Sequence, residues 1–210
     1  MKATQPMAQP RKPRPAASSR SVEKPREIAL LAAPARQELV DTLEALGGEA
    51  SVATLAAQLG RPADGLYYHL RLLVRGGLLE ELPDIGQGRR YRTRADKGKR
   101  LQLRYRGGRN AGAAAVEKVG SAMMRIAARD FSAALKRSDV ATEGPARELW
   151  ASRSKGWVDQ RDLAEINRLL ARALELLHRP RSASRDRLVA LAWVLAPLPV
   201  RPSRRGQDEE

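Results

Sequence analysis

The chain has 210 residues, enough for one domain or for a small domain with an appended second unit. Hydrophobic residues make up 42% of it but aromatic residues only 4%, so we expect a core of Leu, Ala and Val, which favours helices. The 39 Lys and Arg residues against 24 Asp and Glu give a net charge of +15, which indicates a polyanionic partner because neutralised phosphates release counterions. Genome composition is an alternative source of this charge, since GC-rich genomes also favour Arg and Ala.

The absence of cysteine excludes disulfides, thiolate metal sites and cysteine nucleophiles. No stretch approaches the roughly 18 apolar residues of a membrane span, and the amino terminus has no apolar signal core. We therefore expect a cytoplasmic protein, associated with the nucleoid if it binds DNA, and without membrane contact.

Residues 1–27 combine five prolines with Lys, Arg, Ser and Gln, and they have few side chains to bury. This composition predicts a disordered basic arm. The arm either holds DNA phosphates nonspecifically or is only a solvated tail.

Residues 28–95 begin with the pattern of three helices. Pro34 at the first helical position and Gly47 beyond the end predict a helix of about 34–46. Ser51 is a good N-cap for a second helix, which stops at Gly60.

A third helix follows almost at once, with Pro62 in its first turn and Gly76 after its end. Its apolar stripe has the spacing i, i+4, i+7 and consists of Leu66, Leu70 and Leu73. Because only about three residues join the second and third helices, the two must cross at a steep angle.

A β-hairpin follows, with a strand over 78–82, a loop over 83–88 that contains two glycines, and a returning strand over 89–94. Residues 96–111 are rich in charge and glycine and predict a basic linker. The alternation of Leu101, Leu103 and Tyr105 could instead form a short strand.

Residues 112–197 predict a C-terminal α+β unit for dimerisation or signal input, and 198–210 a polar tail. The pattern is helix, strand, helix, strand, at about 112–137, 147–157, 159–178 and 187–196. The last strand is nearly all apolar, so we expect it to be buried on both faces and to pair antiparallel with the strand carrying Trp150 and Trp157.

Two closely joined helices and a basic hairpin are typical of a winged helix-turn-helix, whose second helix enters the DNA major groove. With the leucine stripe turned to the core, the polar residues of the third helix fall on the opposite face, and the hairpin arginines can approach the duplex. The candidate DNA-binding residues are Ser51, Asp64, Tyr67, Tyr68, His69, Arg71, Arg75, Arg89, Arg90 and Arg92.

Residues 67–78, with the sequence YYHLRLLVRGGL, resemble the recognition helix and the turn into the wing of the ArsR-type winged-helix regulators. Residues 30–36, LLAAPAR, resemble the opening of that family's domain, and the chain as a whole resembles a subgroup with a helix–strand–helix–strand extension. The resemblance implies a homodimer that binds an inverted repeat and usually represses transcription. The cysteine pair of the family's metal sensors is missing, so neither metal sensing nor a cofactor is expected, and His69 has a structural or phosphate-contacting role.

A homodimer also follows from the two-fold symmetry of most operators. The predicted pairing surface is the stripe of Val116, Val119, Met123, Ile126 and Ala127, which could equally pack on the strands of its own subunit. The larger C-terminal side chains either line a pocket for an unknown small-molecule effector or pack the core or the dimer seam, and packing is favoured; they are Met123, Met124, Phe131, Trp150, Trp157 and Trp193.

No phosphate-binding loop, metal-ligand spacing or nucleophile with a base is present in the sequence, so we do not expect the protein to be an enzyme. The sequence predicts a mainly α fold with a small β component and a function in sequence-specific binding of double-stranded DNA, as a transcriptional regulator and repressor. One alternative is a winged helix used for protein–protein assembly. Another is a nonspecific nucleoid or RNA-binding protein, with a steep salt dependence but little sequence preference.

Overall fold

A computed structural model of the chain describes residues 20–84, 86, 88–95, 100–107 and 112–199. It confirms a mainly α fold with a small β component. The elements of the described residues, in chain order, are β1 (Arg20–Val22), α1 (Pro25–Leu31), α2 (Pro34–Ala45), β2 (Glu49–Ser51), α3 (Val52–Leu59), α4 (Asp64–Arg75), β3 (Leu79–Leu82), β4 (Arg90–Thr93), β5 (Leu101–Leu103), α5 (Ala113–Ala134) and α6 (Gln160–Leu177).

Helices α2, α3 and α4 pack on a three-stranded antiparallel sheet with the order β2-β4-β3. The predicted hairpin is therefore confirmed, with β2 as a third strand on its β4 edge. Tyr91 and Thr93 of β4 point into the core, while Arg90 and Arg92 lie on the outer face of the sheet. This arrangement of helices and hairpin is a winged helix.

The ends of α3 and α4 lie where local sequence signals place them, with one exception. The Ser51 hydroxyl accepts a hydrogen bond from the backbone N–H of Thr54 at 3.1 Å, and Gly60 takes the left-handed conformation with φ 61° that ends α3. The exception is Pro62, which precedes α4 instead of lying in its first turn, because α4 begins at Asp64 after Ala63.

The predicted leucine stripe of α4 forms the centre of the core. Leu66, Leu70 and Leu73 are at most 2% exposed, and they belong to one buried cluster with Leu43 of α2 and Tyr91 of β4. Burial of this stripe stabilises the domain and fixes the rotation of α4 about its own axis.

Residues 20–27 do not belong to a disordered arm, which corrects the boundary of the predicted arm; residues 1–19 lie outside the described residues. β1 pairs in parallel with β5, so 101–103 are a strand and not linker, as the alternation of apolar residues in that stretch allowed. Arg20 also donates a hydrogen bond from Nη1 to the carbonyl oxygen of Gly77 at 2.5 Å. The chain entering the domain is therefore attached to the end of α4.

The long helix α5 packs on α1 and α2 of its own chain. Val119 and Ala122 are buried there, while Val116, Met123 and Ile126 are partly covered. The apolar stripe of α5 is thus partly used within the chain, mainly on the helices α1 and α2. No helix of the described residues is long and apolar enough to cross a membrane.

Beyond α5 the structure confirms the predicted helix α6 but not the predicted strands at 147–157 and 187–196. Trp150 is 68% exposed and Trp157 is 86% exposed, so these side chains do not pack in a core of the single chain. The two segments are not strands because neither has a partner strand. Arg187 Nη1 lies 2.6 Å from Glu148 Oε1, so the beginnings of the two segments lie side by side. Antiparallel pairing would bring the beginning of one next to the end of the other.

Glu44 of α2 connects the β1–β5 pair to the winged helix. Its carboxylate accepts a hydrogen bond from the backbone N–H of Leu101 at 2.7 Å and lies 3.8 Å from the guanidinium of Arg100. Burial raises the pKa of Glu44 from 4.5 to about 7, although the Leu101 N–H and Arg100 act in the opposite direction. Between about pH 4.5 and pH 7, Glu44 is therefore protonated more often in the folded chain than in the unfolded chain.

We therefore expect the Glu44 contribution to make the free energy of unfolding fall as pH rises from about 4.5 to about 7. Glu44→Gln keeps an acceptor for the Leu101 N–H but cannot ionise, so it should remove this slope and stabilise the chain by about 1–3 kcal/mol above pH 7. Urea unfolding at several pH values measures both effects, with Glu143→Gln, at an exposed position, as control. Equal slopes in the wild type and Glu44→Gln would contradict the prediction.

Candidate nucleic-acid interface

The outer face of α4 is formed by four of the predicted site residues. Asp64, Tyr68, Arg71 and Arg75 are all exposed, and they lie on the side opposite the buried leucine stripe. Of the two tyrosines that the sequence left as alternatives for this face, Tyr68 is the exposed one, at 57%. This face presents two cations, a phenol and a carboxylate to the solvent.

Arg71 and Arg75 have no hydrogen bond or ion pair to any other residue in the described part of the chain. Lys24 and Arg26, at the start of α1, line one shallow depression with Arg75. They add positive charge beside α4, although Glu27 lines the same depression and lies 3.9 Å from Lys24. Sequence reasoning missed them because it assigned residues 1–27 to a disordered arm. The usable signal was Pro25 directly before a helical apolar pattern.

Tyr67 lies at the side of α4 and contacts the wing. It is half-buried, and the guanidinium of Arg89 lies over its ring, 5.7 Å from the centroid. This distance is within the range of a cation–π interaction. Arg89 also lies 3.8 Å from Glu81 of β3, at an exposed position where an ion pair contributes little. Tyr67 therefore orients the wing arginine more than it faces the solvent.

The other two wing arginines are paired with carboxylates on the outer face of the sheet. Arg90 forms an ion pair with Glu49 of β2, and Arg92 lies 2.5 Å from Glu80 of β3 and 3.9 Å from Glu49. The register places Glu80 and Glu49 directly opposite Arg92 on the two neighbouring strands. The wing is consequently less positive than its sequence indicates.

The loop at the wing tip uses glycine for its conformation. Gly86 and Gly88 have φ values of 84° and 77°, which side chains other than glycine rarely adopt. The backbone N–H of Gly86 donates to Asp84 Oδ1 at 2.8 Å and closes a turn. The tip can therefore approach another molecule closely.

His69 and Ser51 have roles within the fold. The Nδ1 atom of His69 is buried without a hydrogen-bond partner among the described residues, and burial together with the charges of Arg36 and Arg61 lowers its pKa. The Ser51 hydroxyl caps α3 and lies 2.9 Å from the Thr54 hydroxyl. Both side chains are only partly exposed, in contrast to Tyr68 and Arg71.

Glu38 of α2 joins the turn of the helix-turn-helix to α5. Its carboxylate oxygens lie 2.7 Å from Arg61, in the turn between α3 and α4, and 2.5 Å from Arg129 of α5. Burial alone would raise the pKa of Glu38, but hydrogen bonds and charge from Arg129 and Arg61 lower it below its ordinary value. Local sequence patterns do not indicate this cluster, since its other members lie 23 and 91 residues from Glu38.

Metal-ligating side chains are scattered in the part of the chain that the structure describes. No three His, Cys, Asp or Glu residues there are close enough to hold a metal ion.

Comparison with known families identifies a helix-turn-helix domain. Residues 31–81 match the family described as a helix-turn-helix domain, a segment that runs from the end of α1 into β3 and includes α3 and α4. No curated protein matches the chain. The match covers the helices whose outer face carries Arg71 and Arg75, and helix-turn-helix domains typically bind DNA.

We expect Glu38→Gln to destabilise the chain by about 1–2 kcal/mol at pH 7, because Arg61 and Arg129 lose a shared, nearly buried charge partner. The folded-state pKa of Glu38 is lowered, so its contribution is present above about pH 4.5 and is lost as the pH falls below its folded value. Denaturant titrations at pH 7 and at about pH 3 provide the measurement.

The exposed Glu117→Gln serves as control, since its carboxylate has no ion pair with the described residues. A Glu38→Gln variant as stable as this control at pH 7 would show that the cluster has no structural role.

Proposed function

We propose that this protein binds double-stranded DNA sequence-specifically through α4 and the wing, and that it regulates transcription as a repressor without enzymatic activity. The observation that carries the proposal is the pair of exposed arginines, Arg71 and Arg75, on the α4 face opposite the buried leucines. Without carboxylate partners in the described part of the chain, both guanidinium groups are available to a polyanion.

The side chains on this face match the hydrogen-bonding groups of the major groove. A guanidinium such as that of Arg71 can bind O6 and N7 of guanine with two parallel hydrogen bonds. The Tyr68 hydroxyl can donate to a phosphate, and the Asp64 carboxylate can accept from the amino group of cytosine. This combination supports readout of base sequence in addition to attraction to phosphates.

The wing is expected to contribute affinity more than specificity. Arg89 lies on Tyr67 beside α4, whereas Arg90 and Arg92 must exchange Glu49 and Glu80 for phosphates before they can contribute. Such an exchange costs part of the gain, because one ion pair replaces another. Their contacts should thus depend on phosphate charge and little on base sequence.

A winged helix used for protein assembly remains the first alternative. It requires no concentration of unpaired cations on the outer face of α4, and the position of Arg71 and Arg75 therefore favours DNA. A nonspecific nucleoid or RNA-binding protein is the second alternative. It would bind matched and scrambled duplexes equally, with a steep dependence on salt.

Dimerisation also belongs to the proposal, whereas an unknown small-molecule effector stays a prediction from the sequence. A single winged helix covers about half of a two-fold operator, so pairing supplies the second half-site about one helical turn away. Helix α5 contributes only part of a pairing surface, because Val119 and Ala122 are already buried within the chain. A larger surface for a second copy must therefore be sought elsewhere.

We expect Arg71→Ala to weaken binding to the preferred duplex by about 1–3 kcal/mol and to reduce discrimination against a scrambled duplex. The double variant Arg89→Ala/Arg90→Ala should weaken both duplexes by similar factors. The preferred sequence is first selected from random duplexes, and affinities are then titrated at two salt concentrations.

Arg181→Ala is the matched control, since it removes one exposed charge just after α6, far along the chain from α4. Unchanged affinity in both the Arg71→Ala and the wing variants would refute the proposed DNA interface. Selection that yields no preferred sequence would support the nonspecific alternative.

A further inference from the structure

The C-terminal part of the chain carries a large uncovered apolar surface. Of the 16 exposed large hydrophobic side chains among the described residues, 13 lie at or beyond Leu135. They are Leu135, Trp150, Trp157, Val158, Leu163, Leu169, Leu176, Leu188, Val189, Leu191, Val194, Leu195 and Leu198. Such a concentration is unusual, since the winged helix buries its own apolar side chains well.

The summed exposed area of these side chains exceeds that of the largest apolar patch on a typical monomer. A Trp side chain buries about 150–250 Å², so Trp150 and Trp157, at 68% and 86% exposure, together expose roughly 300 Å². The 11 aliphatic side chains add to this value and take the total beyond the roughly 300–600 Å² of the largest apolar patch on a typical monomer. A specific interface needs about 800 Å² from each partner.

Helix α6 has an amphipathic pattern that its own chain does not satisfy. Leu163, Ile166, Leu170, Leu174 and Leu177 follow the spacing i, i+3, i+7, i+11, i+14 and form one apolar side. Leu163 is exposed and the other four are half-buried, so no residue of α6 is fully buried, although an amphipathic helix of 18 residues gains most of its stability by burying that side. The apolar side of α6 is therefore one part of an incomplete core.

The segment 188–199 is the second part. It contains no charged residue, it runs without a turn or a bend, and its backbone makes no hydrogen bond to other described residues. Segment 151–159, which carries Trp157, has the same lack of turns and bends, and its backbone is unpaired among the described residues up to Val158, since Asp159 caps α6. Straight segments with unpaired backbone groups are ready to pair with strands of another molecule.

The chain itself offers nothing suitable to cover this surface. The contact between Arg187 and Glu148 shows that the beginnings of the two segments lie side by side, which is not the arrangement of antiparallel pairing within one chain. The residues outside the described ranges are mostly polar, and their large apolar side chains are limited to Met1, Met7, Ile85 and Val200. The missing cover is therefore another molecule.

We propose that a second copy of this chain covers the surface formed by α6 and the segments 151–159 and 188–199. In a two-fold dimer, segment 188–199 of each copy pairs with segment 151–159 of the other, and the apolar sides of both α6 helices close over the resulting strands. One set of contacts then occurs twice, which makes a closed assembly with no free edge of the same kind. The strand-like pattern of both segments in the sequence is satisfied between chains and not within one.

The chemistry of the surface fits a second copy. The uncharged segment 188–199 can lie beside the charged segment 151–159 of a second copy without charge repulsion, whereas the winged helix carries unpaired arginines that would repel their copies. The surface also lies outside α3 and α4, so it leaves the outer face of α4 open. This inference rests on the homodimer proposed above but is independent of DNA binding.

Light scattering at micromolar concentration tests the inference with the full chain. We expect the wild type to be a dimer and Leu191→Asp/Val194→Asp to be a monomer, with the dimer dissociation constant raised more than about 100-fold by a charge in an apolar contact. Ala183→Asp, in the exposed turn after α6, adds charge nearby and should leave the dimer intact. Trp fluorescence should shift to longer wavelength in the monomeric variant as Trp150 and Trp157 become exposed.

Helical circular dichroism and the unfolding of the winged helix verify that the Asp variant remains folded. A monomeric wild type, or an Asp variant that dimerises like Ala183→Asp, would overturn the inference. Loss of DNA specificity with an intact dimer would instead count against the proposed function alone.

The absence of cysteine permits a second measurement that separates exchange between chains from pairing within one. Trp157→Cys and Leu191→Cys are prepared as two differently tagged proteins, mixed and mildly oxidised. Exchange predicts disulfide-linked heterodimers in large excess over a mixture of Ala183→Cys and Leu191→Cys. Equal yields from the two mixtures would overturn the exchanged arrangement.

Discussion

Burial of the leucine stripe of α4 is the constraint on which the rest of the candidate interface depends. Leu70 and Leu73 are fully enclosed between α2 and the sheet, so α4 cannot rotate without exposing them. Since side chains on opposite sides of a helix are fixed relative to one another, enclosing the leucines places Tyr68, Arg71 and Arg75 outside. The apolar core thus determines which polar groups a DNA duplex would meet.

Electrostatics then decides which of the exposed cations are available. The chain has 39 Lys and Arg residues, but those on the wing and in the helix turn largely have carboxylates beside them. Arg71 and Arg75 differ, because the neighbouring outward positions of α4 place no carboxylate within ion-pair distance. Net charge alone therefore overstates the positive surface of the wing. The difference between unpaired and paired arginines decides which side of the domain is available to a polyanion.

The C-terminal part has the opposite balance, with apolar side chains outside and few contacts inside. A winged helix with its own core, joined through α5 and Glu38 to an unsatisfied unit, is the arrangement expected when one unit reads a ligand and the other completes itself in an assembly. Because Glu38 contacts both Arg61 in the helix turn and Arg129 of α5, displacement of α5 would disturb the ion pairs at the turn that orients α4. Glu38 is thus the contact through which the proposed dimerisation and the proposed DNA binding would be linked.

The sequence by itself determined helices α2 to α6, the cap at Ser51, the hairpin and the leucine stripe, but not α1, because these features depend on residues a few positions apart and on the helical period. It also identified the outer residues of α4 without distinguishing Tyr67 from Tyr68. Only the tertiary structure decided that β1 pairs with β5, that Arg90 and Arg92 are neutralised across the sheet, and that Glu38 joins three elements. These contacts join residues far apart in sequence, and periodicity carries no information about them. The two apolar segments near the C-terminus were predicted as strands from local preference, but a strand exists only when a neighbour supplies its hydrogen bonds.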